Sequence, residues 1–382
     1  KKKKDVLKGV SSPRVPKVED NLDRDRRRLI SAVRKVVGPL LNKSDTIKSR
    51  KMFAQIINRY LGTLWPCLQD KNGKLILATI DGKAVVNFDR RIGSQSVYGV
   101  AYMNMGSGFG KLLKFSCKLM SASIKGHVEE IELLKKMTKF VEEETCPNMP
   151  VTYKSLRCYH ECRTSSCPEV TRDGNYFLVI NELANCDLQT WFKEKHEDEA
   201  YQSIIMQLLF SMYAFHQMGY THNDTHLGNF LIHNIKPGGY WRYQIAGKNV
   251  YVPNCGYLLV MWDPGMASKS YKNNFIGDVR RPLELMKHMD EIDVYQDMGC
   301  KSLPEHLMSP LRRIIRRVFA NDKEEEFLKN VFEDIKSGRI AFPAIKVDDT
   351  PSDYLLNIRP YTCKMPKATR TVKKSVGKPL KK

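Results

Sequence analysis

The sequence predicts an α+β protein in which a strand-rich half precedes a helical half, and three observations predict it. At 382 residues, 42% of them hydrophobic and 27% charged, the chain exceeds the size at which one core keeps growing, so two packed halves are expected. Between about residues 75 and 182, short alternating or wholly apolar runs are bounded by turn signals, the mark of strands. From Leu188 onward, apolar residues recur mainly at helical spacing. The boundary falls near Glu182 to Asp187, and no internal repeat is evident.

Taken in order, Leu22, Leu29, Ile30, Val33, Val36, Val37 and Leu40 recur at near-helical spacing, with Arg24, Arg26, Arg27 and Arg28 on or near the remaining face, which predicts a helix to about Leu41. Residues 1–50 then read as a basic arm carrying an amphipathic helix. A second helical run, Met52 to Leu64, opens the segment 51–183. Strands are expected at Leu75–Ile80 and Ala84–Asp89, around the turn signal Asp81-Gly82, and then at Tyr98–Asn104, Leu112–Met120 and Tyr176–Glu182. The one main helix of this half is Val128–Val141, with Ile131, Leu134, Met137 and Val141 on one side. In 184–345, Leu188–Lys195, Tyr201–Met218 and Leu307–Ile340 read as helical, and 346–382 reads as a basic tail.

Net charge is +21, which favours polyanionic partners such as nucleic acid, ATP, acidic protein faces or anionic lipid without naming one. Lys364 to Lys382 holds eight basic residues and no acid, and four lysines open the chain. A start at Lys1 instead of Met reads as an excised or processed product. No apolar window reaches the length of a membrane-spanning helix and no secretory pattern appears, so a soluble, non-secreted protein is expected. Ten irregularly spaced cysteines then read as thiols in a reducing compartment. A zinc set of Cys158, His160, Cys162 and Cys167 is disfavoured because it lacks a Cys-x-x-Cys knuckle.

The chemistry concentrates in Tyr220-Thr-His-Asn-Asp-Thr-His-Leu-Gly-Asn-Phe-Leu-Ile232, where His222, Asp224, His226 and Asn229 follow a long apolar helix. Phosphoryl transfer needs such a set: a carboxylate to orient the attacking hydroxyl, an amide oxygen for a metal, and a cationic or hydrogen-bonding group for the transferred phosphate. The competing readings are a polar turn and a zinc site built on the two histidines. Zinc is disfavoured because His233 lies beyond an apolar strand that carries it away. The apolar run Leu258–Met261 leads into Trp262 and Asp263-Pro264-Gly265, an ordinary turn if taken alone.

The spacing H-x-D-x-H-x-x-N resembles the catalytic loop of the protein-kinase-like superfamily, in its His-containing version. The resemblance covers approximately Gly93 to Ile340 and is closest to serine/threonine kinase-like proteins of large nucleocytoplasmic DNA viruses of the iridovirus and giant-virus type. Two details carry it: His-Asn-Asp-x-His replaces the usual His-Arg-Asp-x-Lys, and 34 positions separate Asn229 from Asp263, a long insert by kinase standards. It implies a bilobal protein-kinase-like fold with a strand-rich N-lobe, a helical C-lobe and flexible basic termini. The implied activity is ATP- and Mg²⁺-dependent transfer of the γ-phosphoryl group to Ser/Thr hydroxyls of protein substrates.

By the same resemblance Asp224 is the catalytic base, His226 lies near the transferred group, and Asn229 and Asp263 are metal ligands. Ser94, Ser96, Gly99 and Ala101 stand where a glycine-rich phosphate loop would be, with the turn Gly106–Gly110 as a competitor. Lys118, 24 positions past Ser94, would pair phosphates and be held by Glu130, with Glu129 and Glu132 as alternatives. Another reading leaves Lys118 on a solvent-facing edge strand. Glu182, Ala184 and Asp187 would meet adenine and ribose. Asn223 replaces a regulatory Arg, which implies activity independent of phosphorylation of the segment after Asp263. Two rival readings are a catalytically weak scaffold, packaged in the virion and holding nucleic acid through basic arms, and a small-molecule phosphotransferase. The implied location is the host-cell cytoplasm.

Overall fold

The computed structural model describes residues 50–51, 54–55, 58, 67–71, 74–78, 84–96, 99–104, 115–159, 161–162, 167–245, 248–269, 275–321, 323–347 and 361–364. Its content is mixed helix and sheet, an α+β protein. The helix expected at Asp20–Leu41, the turn Gly106–Gly110 and most of the two basic ends lie outside the described residues, while residues 54, 55 and 58 of the next helical run are helical, as are residues 50 and 51 just before it.

Strands β1 (Gln69–Lys71), β2 (Lys74–Ala78), β3 (Ala84–Ser96), β4 (Gly99–Asn104), β5 (Phe115–Ser121), β6 (Thr152–Cys158) and β7 (Tyr176–Glu182) form one sheet in the order β1-β2-β3-β4-β5-β7-β6. Every neighbouring pair is antiparallel. Between β5 and β6 runs helix α1 (Lys125–Glu142), whose buried stripe His127, Glu130, Ile131, Leu134, Met137 and Val141 repeats at helical spacing. Glu130 is the one acid in that stripe. Register sets Lys118 opposite Ala101 of β4 and Val179 of β7, so the lysine sits on an interior strand.

After the strand β8 (Cys186–Asp187), helix α2 (Leu188–Trp191) is shorter than the eight residues the sequence suggests. It stops because His196 folds back, stacking on Trp191 at 3.7 Å between ring centroids, with Nε2 on the Trp191 carbonyl at 2.8 Å. Helix α3 (Asp198–Gln217) is buried along nearly its whole length, which is why it is apolar on every side. Its polar Gln207 is satisfied internally: Oε1 accepts from the Asn148 side chain and the Leu259 N–H, and Nε2 donates to Ser203 and the Tyr257 carbonyl. Strands β9 (Tyr220–Thr221) and β10 (Phe230–Asn234) flank the central loop.

The long insert folds as a hairpin, β11 (Tyr240–Ile245) and β12 (Lys248–Pro253), followed by β13 (Tyr257–Met261), which pairs antiparallel with β10. Strand β14 (Ser268–Lys269) pairs with β9. Helices α4 (Phe275–Lys287), α5 (Asp293–Asp297), α6 (Glu305–Phe319) and α7 (Glu324–Lys336) follow. Two short strands of the expected tail, β15 (Lys346–Val347) and β16 (Tyr361–Lys364), pair with β12 and β11 and so extend the hairpin to four strands.

The expectation of ten thiols is corrected, because Cys67 is bonded to Cys158 and Cys162 to Cys167. Cys67 precedes β1 and Cys158 ends β6, and their Cα atoms lie 4.9 Å apart across 91 positions of sequence, a proximity that spacing alone does not reveal. Among the described residues no helix is long and apolar enough to cross a membrane.

Candidate active site

The structure brings Lys118, Glu130 and Asp263 together. Lys118 Nζ lies 2.7 Å from Glu130 Oε1 and 2.7 Å from Asp263 Oδ1, with 10%, 1% and 41% of the respective side chains exposed. The solvent-facing reading of Lys118 therefore fails, and of the three candidate glutamates it is Glu130 that reaches the lysine. Glu129 and Glu132 are exposed, and Glu132 pairs with Lys135. Burial alone would lower the Lys118 pKa, but the carboxylates of Glu130 and Asp263 outweigh it and hold the ammonium above its ordinary value. Burial would likewise raise Asp263, yet Lys118 keeps it below the usual carboxylate range.

Asp263 takes φ +51°, a left-handed conformation that Asp tolerates better than most residues. The turn continues through Gly265, where an added Cβ would lie 3.1 Å from Glu130 Oε2 and 3.4 Å from Asp263 Oδ1. Glycine thus lets the turn pass close to the ion cluster, where a side chain would press on Glu130. Glu130 Oε2 is itself buried and, among the described residues, has no hydrogen-bond partner.

Two main-chain contacts tie this turn to the loop after α3: the Trp262 N–H donates to the Asn229 carbonyl at 2.8 Å, and His222 Nε2 meets the Trp262 carbonyl at 2.9 Å. A carbonyl can only accept, so Nε2 carries the proton, and Nδ1 accepts the Asp224 N–H at 3.3 Å. Neutral imidazole satisfies both contacts, and burial lowers the His222 pKa in the same direction. Asn229 donates its amide to the Asp224 carbonyl at 2.8 Å and to Asp224 Oδ2 at 3.1 Å, leaving its Oδ1 as the end able to meet a cation. His226 Nε2 stands 3.6 Å from Asp224 Oδ2, and its Nδ1 accepts the Gly228 N–H.

Strands β3 and β4 bring Ser96 opposite Gly99 at the end of a hairpin, with Ser94 on the same strand and Ala101 beside Lys118. Residues 97–98 lie outside the described residues. Glu182 is committed elsewhere. Arg50 grips its carboxylate and also donates to the carbonyls of Pro147 and Met149. Against the effect of burial, Arg50 holds the Glu182 pKa down to about 2. The Glu182 N–H and C=O are also taken, by Val151 and Ser116, and the Asn185 N–H donates to the Ile232 carbonyl, so any purine contact is left to the main chain of Leu183 and Ala184. Ala184 there is half-buried. Asp187 caps α2, its Oδ1 accepting the Thr190 N–H at 2.6 Å.

Two contributors, Asp278 and Arg281, were not picked out from the sequence, and Asn223 has a role there beyond the absence of an Arg. Asp278 of α4 accepts the N–H groups of His222 and Asn223 at 2.6 and 2.8 Å, fixing the loop from below. Its signal was present, since it falls in the apolar stripe Phe275, Val279, Pro282, Leu283 and Met286. Asn223, at φ +66°, donates its side-chain amide to the Met266 carbonyl and the Ser268 hydroxyl. Arg281 reaches Asp224 Oδ1 at 3.0 Å, and no local pattern announces it.

Three curated proteins match part of the chain. "Putative serine/threonine-protein kinase 019R" of Frog virus 3 (isolate Goorha) is 27% identical over 141 residues, 36% of this chain and 16% of that protein. "Probable serine/threonine-protein kinase 380R" of Invertebrate iridescent virus 6 is 26% identical over 141 residues, 34% and 25% of the two chains. "Uncharacterized protein 011L" of Invertebrate iridescent virus 3 is 28% identical over 137 residues, 33% and 18%. The chain is a kinase-like relative of iridovirus proteins. The matches span a quarter or less of each relative's length. No family model matches the chain.

Proposed function

We propose that this protein is an ATP- and Mg²⁺-dependent protein kinase that transfers the γ-phosphoryl group to Ser/Thr hydroxyls of protein substrates. The observation that carries the reading is the convergence of Lys118, Glu130 and Asp263 beside a loop that presents Asp224 and Asn229. On this reading residues 51–183 form the N-lobe and 184–345 the C-lobe of a bilobal kinase fold, acting in the host-cell cytoplasm.

The donor chemistry fits magnesium. Among the described residues no group of three or more His, Cys, Asp or Glu is arranged to hold a metal by itself. Mg²⁺ in phosphoryl transfer uses one or two carboxylates and completes its shell with water and phosphate oxygens. Asp263 and the Asn229 Oδ1 are hard oxygen donors of that kind, and the ion would offset phosphate charge when bound. Lys118, kept protonated and aimed by Glu130, pairs phosphate oxygens in place of Asp263. The β3–β4 hairpin covers the phosphates, more loosely than glycine would because of its serines. Asp224 orients the acceptor hydroxyl and takes its proton, and His226 donates a hydrogen bond to the group in transfer.

The test is transfer of label from γ-labelled ATP to protein in the presence of Mg²⁺, with recovery of phosphoserine or phosphothreonine after hydrolysis. Absence of label from all protein acceptors, with label appearing on a small molecule, would instead favour the small-molecule phosphotransferase. Gly265 gives a smaller, graded check. Because Glu130 is pinned by Lys118, Gly265→Val is expected to lower kcat/KM about tenfold, or about 1.4 kcal/mol, whereas Gly265→Ala should cost less than about threefold. Equal activity in the Val variant would show that the turn does not press on the ion cluster.

A further inference from the structure

Helix α4 turns two charged residues toward the catalytic loop. Asp278 holds the loop's N–H groups from below, and one turn further along Arg281 sets Nη1 3.0 Å from Asp224 Oδ1. The Arg281 side chain is 48% exposed, and its remaining N–H groups make no hydrogen bond to the described residues. Beside it opens a cavity of about 410 Å³ whose walls include Arg280, Arg281, Glu284, Leu285 and His288. The Arg280 guanidinium lies over the Phe319 ring at 4.7 Å, which fixes it at the wall. Glu284 is the one acid of that wall, and three cationic or protonatable neighbours share it: Arg280 at 3.7 Å, Lys287 at 3.4 Å and His288 at 3.4 Å.

We infer that this cavity is a subsite for an anionic side chain of the protein acceptor, a carboxylate or a phosphate, with Arg281 as the specificity-determining group; the inference rests on the phosphoryl-transfer reading above. An acceptor hydroxyl must approach the Asp224 carboxylate, and in this structure Arg281 already occupies its Oδ1. An exposed ion pair of this kind is weak and readily exchanged. An acceptor bearing an anion offers the guanidinium a new partner through the unused edge of its planar fork, which suits carboxylate and phosphate geometry. Asp224 Oδ1 is then freed to meet the hydroxyl. A cationic acceptor would instead confront Arg280 and Arg281 and leave the Arg281–Asp224 pair in place.

Geometry fixes the spacing. An anion on the far edge of the fork lies roughly 6–7 Å from Asp224 Oδ1, which matches side chains two residues apart on one face of an extended segment. The acid is therefore expected two positions from the Ser or Thr that receives phosphate.

The test uses the full chain with Mg-ATP and peptides identical except two positions from the acceptor, where Asp, phosphoserine, Ala or Lys is placed. The Asp and phosphoserine peptides are expected to exceed the Ala peptide in kcat/KM by about tenfold, and the Lys peptide to fall below it. In Arg281→Gln the Asp-to-Ala ratio should collapse to within about twofold, and Arg281→Lys should recover only part of it because the fork is lost. The ratio is the readout, so a general loss of rate in a variant cancels. Transfer by the wild type with no acidic preference would overturn the subsite and leave the kinase reading standing. An acidic preference that survives Arg281→Gln would overturn the assignment to Arg281, and no transfer to any peptide or protein would overturn both.

Discussion

Asp224→Asn is expected to lower kcat about a thousandfold, close to 4 kcal/mol of transition-state stabilisation, because a positioned general base contributes between about a hundredfold and ten-thousandfold. The substitution keeps the shape of the side chain and removes its charge and basicity. Its surroundings tolerate the change. The Asn229 amide donates to the main-chain carbonyl of residue 224 as well as to the carboxylate, and the Arg281 contact is exposed, where such pairs contribute about 0–1 kcal/mol. Thermal unfolding should therefore shift by only a few degrees, roughly what 1 kcal/mol produces in a chain of this size. Nucleotide affinity should hardly change, since Lys118, Glu130 and Asp263 are untouched. Steady-state kinetics alongside nucleotide titration separates these effects. A variant that keeps more than about a tenth of wild-type turnover would remove Asp224 from the role of base.

What could be read from sequence follows from how local each feature is. The loop from His222 to Asn229, the strand leading to Asp263 and the apolar strand β7 are short strings whose chemistry and periodicity are visible in a window of a dozen residues. Lys118 and Glu130 are twelve positions apart, one strand and one helix, so their pairing was within reach of the pattern. The choice among Glu129, Glu130 and Glu132 turns on helical phase, because only Glu130 shares the stripe of Ile131, Leu134 and Met137. What escaped depends on contacts distant in sequence. Arg50 holds Glu182 across 132 positions, and Cys67 meets Cys158 across 91. Arg281 reaches Asp224 across 57.

The Glu182 case shows why such partners matter for function. From sequence, a strand ending Asn181-Glu182-Leu183-Ala184 offers Glu182 to a nucleotide as readily as its neighbours. With Arg50 in place, the same carboxylate is held by a guanidinium that also donates to the carbonyls of Pro147 and Met149. The segment that precedes the main sheet is thereby coupled to the end of β7. A buried, doubly hydrogen-bonded ion pair of this kind specifies one arrangement, because removing either partner leaves an uncompensated charge.

Asp278→Ala is expected to destabilise the fold by about 4 kcal/mol, the range for breaking a buried pair and orphaning the N–H groups it served. The carboxylate is 4% exposed and accepts from the N–H groups of His222 and Asn223 and from His216 Nε2, while His216 Nδ1 meets Glu324 at 2.8 Å. Burial alone would favour neutral imidazole, yet Glu324 and Asp278 raise the His216 pKa to about 10, and His216 in turn helps keep Asp278 below the usual carboxylate range. A raised histidine pKa gives stability that is complete below the unfolded value of about 6.5 and lost as pH climbs through the folded value. A depressed aspartate gives the reverse: its share is complete above about 4 and lost as pH falls. The cluster is thus strongest between these limits. Because the rest of a chain of charge +21 also responds to pH, the measurement is a difference. The stability gap between wild type and His216→Gln should be widest near pH 6 and should narrow steadily toward pH 10. A gap that stays constant over that interval would mean that His216 is neutral in the folded protein, and that Asp278 holds the loop of His222 and Asn223 without a buried cation behind it.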